Sequence, residues 1–220
     1  PEGLTSVIMV GHAMEYEIIK SMPSALASAA VGKGYSTEAA IVMHIAQYIR
    51  NLGYEAVGSM NDTSLTIPQA IKAGLGEYGR HNMLITKEFG PRVRISKIFT
   101  DMPLDHDKPD KFGVTEFCGI CRRCYDACPV NAITDGPPTE TGHNKSSLEG
   151  VLKWTTDCEK CFGYWTALKT DCAICMRTCP YNKDFSKWYM RSTRWLAGTK
   201  LRRVMLWLDV KLGYGEYDAP

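Results

Sequence analysis

The chain has no apolar run near the length that spans a bilayer, no surplus of either charge, and no histidine inside its cysteine runs. The first absence argues against a helical membrane span within it. Lysine and arginine number 26 against 24 aspartates and glutamates, a formal net charge of +2 spread along the chain, so the basic footprint of a nucleic-acid binder is missing. The third absence weighs against zinc sites of mixed Cys/His type. Pro1-Glu2-Gly3 is neither an initiator methionine nor a signal peptide, and the chain is expected to begin inside a longer protein, leaving its compartment unread. With 220 residues, 45% of them hydrophobic, it can bury a sizeable core in one or two domains.

What it has in quantity is ordered cysteine. Cys118, Cys121, Cys124, Cys128 and Pro129 spell CxxCxxCxxxCP, and Cys172, Cys175, Cys179 and Pro180 repeat the second half of that run after Cys161. A [4Fe-4S] cluster needs four converging thiolates, and in two-cluster ferredoxins the last cysteine of each run ligates the other cluster. The spacing thus predicts one cluster on Cys118, Cys121, Cys124 and Cys179, and a second on Cys161, Cys172, Cys175 and Cys128. Each trailing proline ends its loop and removes a backbone donor. Structural zinc favours paired knuckles, and a disulfide framework belongs to small secreted domains; both are disfavoured. Cys158 is left over. It is read as a spare thiol, with ligation in competition with Cys161, three residues on, as the alternative.

The first part, to about residue 103, reads as α/β. Residues 6–14 suit a buried strand and 37–52 carry apolar residues at helical spacing; Gly53 closes that helix and 54–57 resume as a strand. A short helix over 64–73 ends in Gly74-Leu75-Gly76, and 92–100 alternate as a further strand after a turn at Phe89-Gly90-Pro91. Helices and strands interleave as in a layered α/β sheet. The expected organisation is an α/β domain over 1–103, a two-cluster domain over 104–185 and a helical tail over 186–220. Residues 135–147 should form an exposed insertion. The tail has three tryptophans among basic residues within 187–208; it is read as a helix packing over the cluster domain, with a membrane-surface or partner-binding helix as the alternative.

A longer string of motifs makes a family visible. Ala73-Gly74-Leu75-Gly76-Glu77-Tyr78-Gly79-Arg80, Met83-Leu84-Ile85-Thr86, Gly90-Pro91-Arg92-Val93-Arg94 and Phe99-Thr100-Asp101-Met102-Pro103-Leu104 lead into Phe117-Cys118-Gly119. With Glu159-Lys160-Cys161, Trp165 and Leu212-Gly213-Tyr214-Gly215 further on, this order resembles the corrinoid-dependent reductive dehalogenases and, more distantly, the epoxyqueuosine reductases. The resemblance implies a nitroreductase-like α/β domain holding base-off cobalamin, followed by a ferredoxin-like α+β domain with two [4Fe-4S] clusters. No histidine has an aspartate two residues before it, so the DxHxxG loop of base-on corrinoid proteins is absent. His12, His44, His81, His106 and His143 are read as surface or packing residues.

The same resemblance assigns roles. Tyr35 corresponds to a proton-donating tyrosine, Arg94 to the cation that stabilises its phenolate, and Asn61 to a polar pocket residue. Tyr35, Met60, Asn61, Leu75, Gly76, Arg80, Asn82 and Leu84 are expected around the corrinoid. A free phenol has a pKa of about 10, so it donates a proton at neutrality only with such help. Arg92 rivals Arg94, because strand alternation puts both on one face. Gly74, Gly76 and Gly79 serve either close backbone approach to the corrinoid or a helix cap and turn. GLGxxG follows a helix instead of a strand, so dinucleotide binding is set aside.

The implied activity is reductive removal of halide from an organohalide. The implied partners are an electron-donor protein or quinol-linked chain and a small membrane-anchor subunit, with no nucleic acid. Location is expected at the outer face of the cytoplasmic membrane, with the cytoplasm as the alternative. Epoxyqueuosine reduction on tRNA and a corrinoid-free electron-transfer module are the competing functions.

Overall fold

Residue 6 and residue 100 meet in the sheet that organises the first half of the chain. The structure, a computed structural model, describes residues 2–216; residues 1 and 217–220, the outer ends of the first and last expected segments, lie outside the described residues. Strand β1 (Ser6–Ala13) leads through the short helix α1 (Tyr16–Ile19) into the long helix α2 (Ala25–Asn51), and β2 (Ala56–Ser59) follows. Helix α3 (Thr66–Lys72), a hairpin of β3 (Gly76–Tyr78) and β4 (Leu84–Thr86), and β5 (Val93–Thr100) complete this half. The three-stranded sheet has the order β1-β5-β2. Both pairings are antiparallel, with Ser6 and Ala56 each opposite Thr100. β5 is central although it is last in sequence.

Helix α2 begins twelve residues before the periodic stretch expected from sequence. Ser24 caps it, accepting a hydrogen bond from the Ala27 N–H at 3.1 Å. Gly32 and Gly34 lie in its interior, where each costs about 1 kcal/mol relative to alanine. Gly34 brings α2 close to β5: a Cβ there would lie 3.5 Å from Arg94 Cγ and 3.6 Å from Met14 Cγ. The face of α2 carrying Val42, Ala46 and Ile49 packs on Ala56 and Ile98 of the sheet.

The second half is mostly short helices: α4 (Val114–Ile120), α5 (Arg123–Asp126), α6 (Cys158–Leu168), α7 (Ile174–Arg177), α8 (Trp188–Ala197) and α9 (Arg202–Lys211). Residues 135–147 are largely exposed, as expected of an insertion. The two halves share a core. Ile85 of β4 is buried with Val114 and Phe117 of α4, Tyr181, Ala197 of α8 and Met205 of α9, so packing crosses the boundaries expected near 103 and 185. Glu77 of β3 fastens the joint by accepting the backbone N–H groups of Phe112 and Val114 at 2.6 and 3.1 Å. Helices α8 and α9 cover the first cysteine run, and their outer face leaves Trp188, Trp195 and Trp207 exposed. No helix among the described residues is long and apolar enough to cross a membrane.

Candidate active site and metal centres

The cysteine runs fold into paired single turns of helix. Cys124 sits in α5 and Cys175 in α7, and these turns pack on each other. Cys118, Cys121, Cys124 and Cys179 line one small cavity together with Arg80, His81 and Tyr181. Cys128, Cys161, Cys172 and Cys175 line a second, apolar cavity of about 370 Å³. No two of the nine cysteines are joined in a disulfide.

The electrostatics follow the same grouping. Burial pushes the Cys118 thiol up to about 12 and Cys121 to about 11, and raises Cys124 and Cys179; the charges of Cys118, Cys121 and Cys124 add to the rise at Cys179. In the other set burial lifts Cys161 to about 11 and Cys175 to about 12, with Cys172 and Cys128 contributing to both. Four mutually opposed, buried thiolates need cations among them, and iron ions supply that charge in a cluster. Backbone donors are already present: the Ala132 N–H reaches Cys128 Sγ at 3.3 Å, and an Arg80 backbone hydrogen bond draws Cys118 down against its burial. The donor sets therefore fit two clusters. No group of three or more His, Cys, Asp or Glu among the described residues is disposed to hold a single metal ion. Cys158 is exposed at the edge of the second cavity.

Tyr35, Asn61 and Arg94 come together on a third cavity of about 270 Å³, with Leu84 also in its wall. Tyr35 projects from α2, one turn beyond Gly32. The Arg94 guanidinium carbon lies 4.1 Å from the centroid of its ring. Arg92 diverges: it precedes β5, so strand alternation does not govern it. Its guanidinium stacks near Tyr16 and Phe89 at 5.3 and 5.7 Å and donates to the Lys183 carbonyl at 2.9 Å. Asn61 is held indirectly. Lys97 of β5 is fully buried and its ammonium donates to the carbonyls of Met60 and Asp62 and to Thr66 Oγ1, pinning the loop between β2 and α3.

The other expected contacts disperse. Asn82 lines the second cavity and a further cavity of about 620 Å³ that also touches Asn61; it has φ +64°, a conformation asparagine tolerates in the hairpin turn. Gly76 lies against Ile85, whose carbonyl oxygen would be 2.2 Å from an added Cβ. Gly74 has φ +74° and caps α3. Arg80 turns to the first cysteine set: Nε and Nη2 donate to the Cys118 carbonyl at 3.1 and 3.0 Å and Nη1 to those of Thr134 and Gly136 at 3.0 and 2.9 Å. Met60 is partly buried, its carbonyl bound to Lys97. Leu75 is partly buried after α3 and lines none of these cavities.

Glu38, one helical turn after Tyr35, was not visible as a site residue from sequence. It is 1% exposed, lines the Tyr35 cavity, and neither carboxylate oxygen has a hydrogen-bond partner. Burial raises its pKa, against the pull of Arg94 and Lys97. Its spacing from Val31, Val42 and Ala46 on the buried face was the available signal. A carboxyl raised in the folded state favours folding below its unfolded pKa, and that contribution is lost as pH rises through the folded value. Glu38→Gln is therefore expected to raise the unfolding temperature at neutral pH and to flatten the stability loss above about pH 4.5. Thermal unfolding by circular dichroism across pH checks this; equal slopes in parent and variant would contradict it.

The cavities adjoin. Met14, Met83, Arg94 and Met176 line both the Tyr35 cavity and that of the second cysteine set. A hydroxyl, a guanidinium, an amide and a carboxyl thus face one chamber that shares its wall with four convergent thiols.

The chain is similar to known proteins over both halves. Residues 4–104 match the family model described as a reductive dehalogenase subunit, and 117–182 that of a 4Fe-4S double cluster binding domain. The chain is 40% identical over 221 residues to the tetrachloroethene reductive dehalogenase of Sulfurospirillum multivorans, covering 98% of this chain and 43% of that protein. A solved catabolic reductive dehalogenase superposes with a TM-score of 0.86 at 28% identity, over 96% of this chain and 30% of that one. The epoxyqueuosine reductase of Lactococcus garvieae is 30% identical over 135 residues, 58% of this chain and 35% of that protein. The chain spans less than half the length of these relatives. The run of similarity through both halves identifies the chain as a member of the reductive dehalogenase family.

Proposed function

We propose that the protein carrying this chain replaces a carbon–halogen bond of an organohalide with carbon–hydrogen, consuming two electrons and one proton and releasing halide. The observation that carries the reading is the convergence of Tyr35, Asn61 and Arg94 on a cavity that shares a wall with the second thiol set. We read residues 1–103 as a nitroreductase-like cobalamin-binding domain, 104–185 as a ferredoxin-like domain with crossed ligation of two [4Fe-4S] clusters, and the remainder as a tail packed on it. When bound, the corrinoid would supply a low-potential reducing metal, and the clusters, held by the two cysteine sets, would supply one-electron carriers.

The chain's own residues orient and protonate. Asn61, with Met60, Asn82 and Leu84 nearby, is assigned to cofactor and substrate walls, and supports this with an amide on a loop that Lys97 holds in place. Tyr35 Oη gives its proton to the carbon that loses halide. Arg94, stacked on the ring, stabilises the phenolate left behind. Met14, Met83 and Met176 give the chamber an apolar wall, which suits an organohalide and strengthens the attraction between Arg94 and the phenolate. Electrons are taken to arrive from a donor protein or quinol-linked chain. Attachment at the outer face of the cytoplasmic membrane is taken to use a small anchor subunit, and the exposed tryptophans of α8 and α9 are a surface of suitable character.

The test is anaerobic preparation of the full natural protein with iron, sulfide and cobalamin. About eight irons and one cobalt per chain are expected, with a base-off Co(II) paramagnetic resonance signal and turnover of an organohalide. Eight irons without cobalt would overturn the corrinoid assignment in favour of an electron carrier; turnover of a tRNA stem-loop in place of an organohalide would favour epoxyqueuosine reduction.

A further inference from the structure

His81 is buried, 5% exposed, at the wall between the two cysteine cavities, and lines both. The backbone N–H of Met83 donates to its Nδ1 at 3.3 Å. An N–H can only donate, so Nδ1 carries a lone pair and the neutral ring's hydrogen is on Nε2. Nε2 is buried and has no hydrogen-bond partner in the protein. A buried N–H left without an acceptor costs about 1–3 kcal/mol, and the fold has not relieved it with any carbonyl.

The missing acceptor has a natural identity. Arg80, the preceding residue, makes a backbone hydrogen bond that lowers the Cys118 thiol, and its side chain holds the Cys118 carbonyl. The His81 ring is thereby fastened beside the first cysteine set at both its backbone and its Nδ1. Tyr181 Oη is the other buried group on this wall without a partner, but a hydroxyl can turn its hydrogen, whereas the imidazole N–H has one direction. Sulfur is the acceptor chemistry that four thiolates and a cluster would bring there.

Resting on the two-cluster reading above, we propose that His81 is a positioning residue for electron transfer: its Nε2–H donates a hydrogen bond to a sulfur of the cluster held by Cys118, Cys121, Cys124 and Cys179. The hydrogen bond stabilises negative charge, which grows on that cluster when it accepts an electron, so it makes this cluster the easier to reduce. It sits on the side facing the second cluster, where an electron must leave.

The experiment is a redox titration of the holoenzyme by paramagnetic resonance, with the first cluster's signal assigned by its change in Cys124→Ser. His81→Phe is expected to lower that cluster's reduced-to-oxidised ratio about tenfold at fixed potential, a shift of about 59 mV for one electron. His81→Gln, which keeps an N–H donor near the Nε2 position, is expected to recover most of the shift. In protein labelled with ¹⁵N-histidine, pulsed spectra of the reduced first cluster should show coupling to one imidazole nitrogen that disappears in His81→Phe. Intact clusters with an unmoved potential and no ¹⁵N coupling would overturn the hydrogen bond alone. Coupling found on the second cluster would overturn its direction. Absence of iron and sulfide from the parent protein would overturn the two-cluster reading itself.

Discussion

Tyr35→Phe is expected to reduce organohalide turnover by about 10²- to 10⁴-fold, the usual range for loss of a positioned general acid, while iron, cobalt and the unfolding temperature stay at parent levels. The selectivity follows from the site. Phenylalanine keeps the ring under Arg94 at 4.1 Å and removes one oxygen, so packing and the cation–π contact survive. Turnover measured in the loaded full protein with excess reductant decides the matter. Glu38 makes the control informative. It lies one turn away on the same cavity, and burial favours its protonated form. If Tyr35→Phe retains activity while Glu38→Gln abolishes it, the acid is the carboxyl and the tyrosine assignment is wrong.

Asp209→Asn is expected to destabilise the protein by about 3–5 kcal/mol, the cost of leaving a buried ion without its counter-charge. Asp209 on α9 is 3% exposed, accepts a hydrogen bond from Arg123 and is ion-paired with Lys183, while the Lys183 ammonium also lies 3.8 Å from the centre of the Tyr214 ring. Arg123 stands between Cys121 and Cys124 in the first run, and Lys183 follows the last cysteine of the second. One carboxylate thus ties both runs to the helix covering them. For a chain of this size the loss corresponds to a fall of roughly 6–20 °C in unfolding temperature, read by calorimetry, and iron should be released earlier on heating. Replacing Lys183, Asp209 and Arg123 together with apolar residues should recover much of the stability, since no buried charge is then left unpaired. A fall confined to one or two degrees for Asp209→Asn would mean that water reaches the site.

Sequence carried the metal chemistry further than the shape. Short-range spacing is a local property, and the grouping of thiols in the fold follows it: Cys179 comes to the first set and Cys128 to the second. The strand at β1 was legible from its apolar, β-branched run and that at β5 from alternation, and α8 and α9 pack over the first run. The β3–β4 hairpin was not, because Gly74, Gly76 and Gly79 read equally as cap, turn or cofactor approach; only the closeness of Gly76 to Ile85 distinguishes them. The first turns of α2 were hidden by two interior glycines, of which Gly34 meets Arg94, sixty residues on, and Gly32 meets no neighbour. Arg92 and Arg94 were inseparable by parity and separate at once in space. Glu38, Glu77, Lys97 and Asp209 share one reason for escaping notice. A charged residue in a sequence is most often solvated, and its burial depends on partners brought from elsewhere in the chain.

The order of strands also bears on how the site comes into being. During synthesis β1 and β2 emerge long before β5, yet neither pairs with the other; each must wait for the strand that lies between them. Contacts spanning some ninety residues, such as Ser6 with Thr100, form late because the intervening loop must first be closed. Helix α2 needs no such partner to start winding, so Tyr35 acquires its place on a helix early and its cation late. Arg94 and Lys97 arrive on the same strand, one beneath the phenol and the other beneath the Asn61 loop. Insertion of β5 therefore joins the sheet and assembles the reactive pocket in one event, and a chain stalled before it has neither.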